Sequence, residues 1–99
     1  MAEKETPELP EQLTINLRKP ITVGDQTFEV LELREPTAGE FKKFAKQAPG
    51  DPAGALVALI AAVSGVAPPI VDKIGVRDMN AAGEYLMAFI QPSLPTATN

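Results

Sequence analysis

The 99-residue sequence contains no cysteine, no histidine and no tryptophan. Without Cys and His there is no thiol or imidazole nucleophile, no imidazole general base and no zinc site of the usual ligand types. A disulfide-stapled secreted scaffold is excluded for the same reason. Aromatic residues are scarce at 5%, whereas hydrophobic residues reach 44%, much of it alanine. Such a core is built from small and aliphatic side chains. It should be thin, so that stability leans on partners or self-association. Positive charge is also in deficit: 9 Lys and Arg against 13 Asp and Glu, a net charge of −4. Nucleic-acid binders normally display a basic patch. The largest basic cluster here is Lys42, Lys43 and Lys46, which reads as a solvated helix face, so no nucleic-acid partner is expected.

Long apolar runs are missing too. The uncharged stretch 52–71 is interrupted by Pro52, Gly54, Ser64, Gly65, Pro68 and Pro69. Its proline-free part, 53–67, is too short for a hydrocarbon core of about 30 Å at roughly 1.5 Å per residue, so no membrane partner is expected. The opening MAEKETPELPEQ has neither a basic n-region nor an apolar h-region, and a signal peptide is not expected. No GxGxxG, GxxxxGK[ST] or GxSxG pattern occurs. Glu29, Glu32 and Glu35 are spaced by three, which in a strand sends neighbours to opposite faces, so they do not form an acid–base pair. Neither catalytic residues nor cofactor or metal ligands are expected, and the length points to one domain.

What is present is a change of period. Residues 1–11 read as a disordered arm. Leu13, Ile15 and Leu17 alternate with polar residues, and the odd phase continues through Ile21 and Val23, broken by Pro20. Gly24-Asp25-Gln26 signals a turn, and 27–34 reads as the returning strand. Its apolar phase slips between Val30 and Leu31, where a bulge is expected. Thr37 and Glu40 have capping-box spacing behind Pro36, with Arg34 and Glu35 expected as surface charges at the hinge. Phe41, Phe44 and Ala45 then form an apolar helical stripe. Asp51 with Pro52 starts a second helix that Gly65 ends. A short third helix follows Pro68-Pro69. A fourth, with Asp78 as expected N-cap, carries Met79, Ala82, Tyr85, Leu86, Phe89 and Ile90 at helical spacing. The expected architecture is α+β, an N-terminal β-hairpin followed by three to four α-helices. Its boundaries are a single domain over 12–91, a hairpin at 12–34, helices at about 37–47, 51–64, 68–74 and 78–91, and a flexible tail at 92–99.

The second helix is the informative segment. Leu56, Leu59, Ile60 and Val63 form one face, and the other side is also apolar: Gly54, Val57, Ala58, Ala61 and Ala62. Either the hairpin and the neighbouring helices cover it all round, or its small-residue face stays open and receives a second helix closely. On the second alternative the partner-binding residues are Val57, Ala58, Ala61 and Ala62; Tyr85 and Phe89, four apart on the fourth helix, either pack in the core or join them as partner-facing aromatic anchors.

The block Leu33-Arg34-Glu35-Pro36-Thr37-Ala38-Gly39 is the most specific feature. With Lys19-Pro20-Ile21 before it and Ser64-Gly65, Pro68-Pro69-Ile70-Val71 and Ile74 after it, the chain resembles the tail assembly chaperones of contractile-tailed bacteriophages, of the Mu-like type. The likeness covers roughly residues 13–90. It departs at Gly75-Val76-Arg77, which separates the short helix from Asp78. The resemblance implies a non-enzymatic phage or prophage protein of the host cytoplasm. It implies that the protein binds the tape measure protein during tail morphogenesis, keeps it soluble and leaves before the tail is complete. It also implies a frameshifted longer form of the chain as a second partner, with homo-oligomer formation open and no cofactor. The rival from another class is a small structural tail or baseplate-associated virion protein, which would remain in mature particles. A regulatory or antitoxin-like adaptor is a third reading, weakened by the acidic charge.

Overall fold

A computed structural model describes residues 10–90. The arm and tail expected at the chain ends fall mostly outside the described residues. Two antiparallel strands, β1 (Gln12–Val23) and β2 (Gln26–Arg34), are followed by α1 (Ala38–Gln47), α2 (Pro52–Ser64), α3 (Pro68–Val71) and α4 (Val76–Ile90). This is the α+β order of a hairpin and then four helices.

The hairpin turns through Gly24-Asp25, with Val23 opposite Gln26. Gly24 has φ 60° and Asp25 is not at positive φ, which is the II′ arrangement that follows the right-handed strand twist. Leu13 pairs with Leu33 and Ile15 with Leu31, so aliphatic side chains meet across the strands. The expected bulge at Val30-Leu31 is corrected. The register shift lies on β1, between Asn16 and Ile21, where residues 17–20 oppose Glu29 alone. Pro20 has no N–H to give to the ladder, so the surplus residues collect beside it. β2 runs through the slip, leaving Val30 38% exposed while Leu31 and Leu33 are buried.

One pair of side chains joins the end of the hairpin to α1 and α2. The Arg34 guanidinium donates to both carboxylate oxygens of Glu40, at 2.9 and 2.8 Å, to the Glu35 carbonyl at 3.1 Å and to the Ala62 carbonyl of α2 at 3.2 Å. Glu40 also accepts from the Thr37 N–H at 2.9 Å, and the Thr37 hydroxyl accepts from the Glu40 N–H, closing the capping box. Arg34 is therefore not the surface charge expected of it. It is half-buried and fixes the end of β2, the start of α1 and the third-last carbonyl of α2 together. The Arg34 hydrogen bonds hold the Glu40 carboxyl down from its ordinary 4.5 to about 2, with the Thr37 bonds adding to the effect and burial opposing it.

α2 lies at the centre, packed on β2, α1, α3 and α4. Asp51 caps it by accepting from the Gly54 N–H at 3.0 Å, and Gly65 ends it in the left-handed region with φ 75°. Leu31, Leu33, Ile60, Val71 and Leu86 are the largest fully buried side chains. Against Gly83 of α4 an added Cβ would lie 3.1 Å from a Leu56 methyl, so α2 and α4 approach closely there. α3 is shorter than expected. It gives way to turns in which Lys73 and Ile74 donate to the Ile70 and Val71 carbonyls. α4 starts at Val76, so Asp78 is not its N-cap. It lies in the first turn, 4% exposed, and accepts from the Arg18 N–H of β1 at 2.9 Å. The irregular stretch of β1 beside Pro20 leaves that N–H to be satisfied across elements.

Glu40's depressed pKa means that its contribution is present above its ordinary pKa of about 4.5 and is lost as the pH falls toward 2. Discounted for the part-exposed guanidinium, it is worth about 1–2 kcal/mol. Glu40→Gln should lower stability by that amount in urea denaturation at pH 7, and the gap from the parent should narrow below pH 4.5 and vanish as the pH falls through about 2; a constant gap would show that the pair is not its source. Asp78→Ala, which leaves the Arg18 N–H unmatched, should cost roughly 1–3 kcal/mol, and Asp78→Asn, which keeps an acceptor, less.

Candidate partner-binding groove

α1 turns Phe41 and Phe44 toward the core, both half-buried, and leaves Lys42, Lys43 and Lys46 exposed. Its end is tied to the start of α2: Asp51 N–H donates to the Gln47 carbonyl at 3.0 Å, and the Gln47 side chain donates to Asp51 at 3.3 Å. Between the two helices runs a groove of about 160 Å³, lined by Glu40, Lys43, Phe44 and Gln47 from α1 and by Ala55, Ala58, Leu59 and Ala62 from α2. The four α2 positions follow i, i+3, i+4, i+7, one face of a helix. Three of them are alanine, so the floor is shallow because its side chains end at Cβ.

The six residues expected to bind a partner are distributed unequally. Ala58 and Ala62 are exposed and lie together in the groove. Val57 is half-buried against the core, and Ala61 is buried at 7% exposure. The apolar far side of α2 is thus neither wholly covered nor wholly open: α1 shields part of it and leaves an alanine strip beside itself. Tyr85 is buried. Its hydroxyl donates to the Pro10 carbonyl at 2.6 Å, tying the approach to β1 onto α4. Burial, then the nearby Glu35 and Glu11 charges, push its phenol pKa up, so the donor proton stays in place. Phe89 meets Tyr85 edge-to-face with centroids 5.1 Å apart. It lines a separate cleft of about 250 Å³ with Glu35, Pro36, Thr37, Ala38, Phe41 and Ile90.

Lys43, Phe44, Gln47, Ala55 and Leu59 were not singled out from the sequence as groove residues. The i, i+3, i+4, i+7 run from Ala55 to Ala62 was a usable signal. It was obscured because Leu59 also fits the run of Leu56, Leu59, Ile60 and Val63. The volume is below the roughly 300–1,000 Å³ of small-molecule pockets and suits side chains of a packed helix. Among the described residues no helix is long and apolar enough to cross a membrane.

Residues 14–91 match the family model described as phage tail assembly chaperone proteins, E, or 41 or 14. The chain belongs to the phage tail assembly chaperone family. The matched span takes in the hairpin from Thr14 onward, all four helices and both walls of the groove. No curated protein and no solved structure matches it. A tail assembly chaperone acts through protein partners.

Two single changes separate the open strip from the core. Ala58→Glu should leave thermal stability within about 0.5 kcal/mol of the parent, since the new carboxylate stays in water. Ala61→Glu, placing a charge where the chain is closed, should unfold the domain or lower its melting temperature strongly in a circular-dichroism melt.

Proposed function

We propose that this tail assembly chaperone binds an apolar helical segment of the tape measure protein in the α1–α2 groove, keeps that protein soluble during tail morphogenesis and is released before the tail is complete. The observation that carries the reading is the exposed strip of Ala58 and Ala62 beside Phe44 and Leu59. A floor that ends at Cβ lets a partner helix approach closely, and helix-in-groove docking covers an apolar stripe that would otherwise aggregate. Val57 and Ala61 flank the strip and pack into the core, Tyr85 sets the position of α4, and Phe89 offers an aromatic contact in the neighbouring cleft. The shallow groove suits transient binding, which release requires.

The reading is non-enzymatic and places the protein in the host cytoplasm. The Leu33–Gly39 block favours the Mu-like, contractile-tailed branch, and a frameshifted longer form of the chain is a second partner on the same reading. A second copy of the chain can also lay a helix on the strip, so homo-oligomer formation competes with tape-measure binding.

Co-expression with the tape measure protein should raise its soluble fraction several-fold, and Ala58→Glu should abolish most of that gain while itself remaining folded. An unchanged soluble fraction would refute the chaperone role, and recovery of the chain in purified mature particles would favour the structural-protein rival.

A further inference from the structure

The charges around the groove are one-sided. Lys43 lines it, and Lys46, three residues further along α1, continues the same rim. The acids that face the groove are already engaged. Glu40 is held by both arms of the Arg34 fork at 2.8 and 2.9 Å. Asp51, at the far mouth, accepts from the Gly54 N–H and the Gln47 side chain. α2 carries no ionisable side chain. Among the described residues, the ion pairs are Arg18–Asp78 and Arg34–Glu40, and neither uses Lys43 or Lys46. A chain of net charge −4 thus borders its open apolar strip with two exposed ammonium groups that are paired with no carboxylate among the described residues.

We infer that the groove selects a helix whose apolar stripe is bordered on one flank by acidic residues, the flank that lies along Lys43 and Lys46. This rests on the reading of the groove as a helix-binding site and adds to it the chemistry of the occupant. The apolar stripe sits on Ala58 and Ala62, while the lysine stems lie over its edge and their ammonium groups reach carboxylates one turn apart. An acid-flanked helix is attracted along this rim, so charge sets position and direction in the groove more than it sets affinity.

The test uses the full chain and three synthetic amphipathic helices of about 20 residues with the same Leu/Ala stripe, flanked by Glu, Gln or Lys. Binding is read by fluorescence anisotropy at roughly 0.05 M and 0.5 M salt. The Glu-flanked helix should bind about tenfold more tightly than the Lys-flanked one at low salt, with the difference shrinking at high salt. The double substitution Lys43→Glu with Lys46→Glu should reverse that order, circular dichroism showing the fold intact. Equal binding of all three helices, abolished by Ala58→Glu, would overturn the charge selection and leave the groove reading standing. Binding that ignores Ala58→Glu, or no binding of any helix, would overturn the groove reading and the inference with it.

Discussion

The Arg34–Glu40 fork is the contact on which the arrangement of the other parts depends. A two-stranded hairpin has too little buried surface to stand alone, so its position must come from what it rests on. Arg34 supplies one such connection, with two bonds to the capping glutamate of α1 and one to a backbone carbonyl near the end of α2, and Asp78 supplies another from α4 to β1. The Arg34–Glu40 fork sets the turn between β2 and α1 with Pro36 and the Thr37 cap, while the Gln47–Asp51 bonds hold the far end of α1, and together they fix the angle of α1 over α2. That angle defines the groove.

Alanine makes the rest of the architecture work in two ways. Buried as Ala55, Ala61 and Ala82, it lets helices and hairpin pack closely around a small core in which Leu31, Leu33, Ile60, Val71 and Leu86 are the large fully enclosed side chains. Exposed as Ala58 and Ala62, it leaves a strip with almost no side chain between solvent and the helix backbone. An apolar strip of that kind costs little to leave open, because its area is small, yet it offers close contact to a second helix.

Most of the element order was legible in the residues. Period-two alternation, the Gly24 turn, the Thr37–Glu40 spacing, Asp51-Pro52 and Gly65 each state a local preference that the fold satisfies. The misreadings fell where a local preference met a non-local demand. Asp78 has the chemistry of an N-cap but is used to satisfy the Arg18 N–H, sixty positions away in sequence, because β1 is irregular beside Pro20. The slip at Val30-Leu31 suggested a bulge on β2, and the irregularity went to the strand that already lacked a donor.

From the sequence alone came the absence of imidazole and thiol chemistry, the hairpin, the helices and an apolar α2 with small residues on its less bulky side. Those follow from composition, spacing and capping, which act over a few residues. Which alanines face water was decided only by how the neighbouring elements packed around α2, burying Ala61 and leaving Ala58 and Ala62 open. The pairing of Arg34 with Glu40 and Ala62 was decided at the same level. A helix that is apolar all round carries no local mark of which side its neighbours will cover, and that choice belongs to packing between elements far apart along the chain.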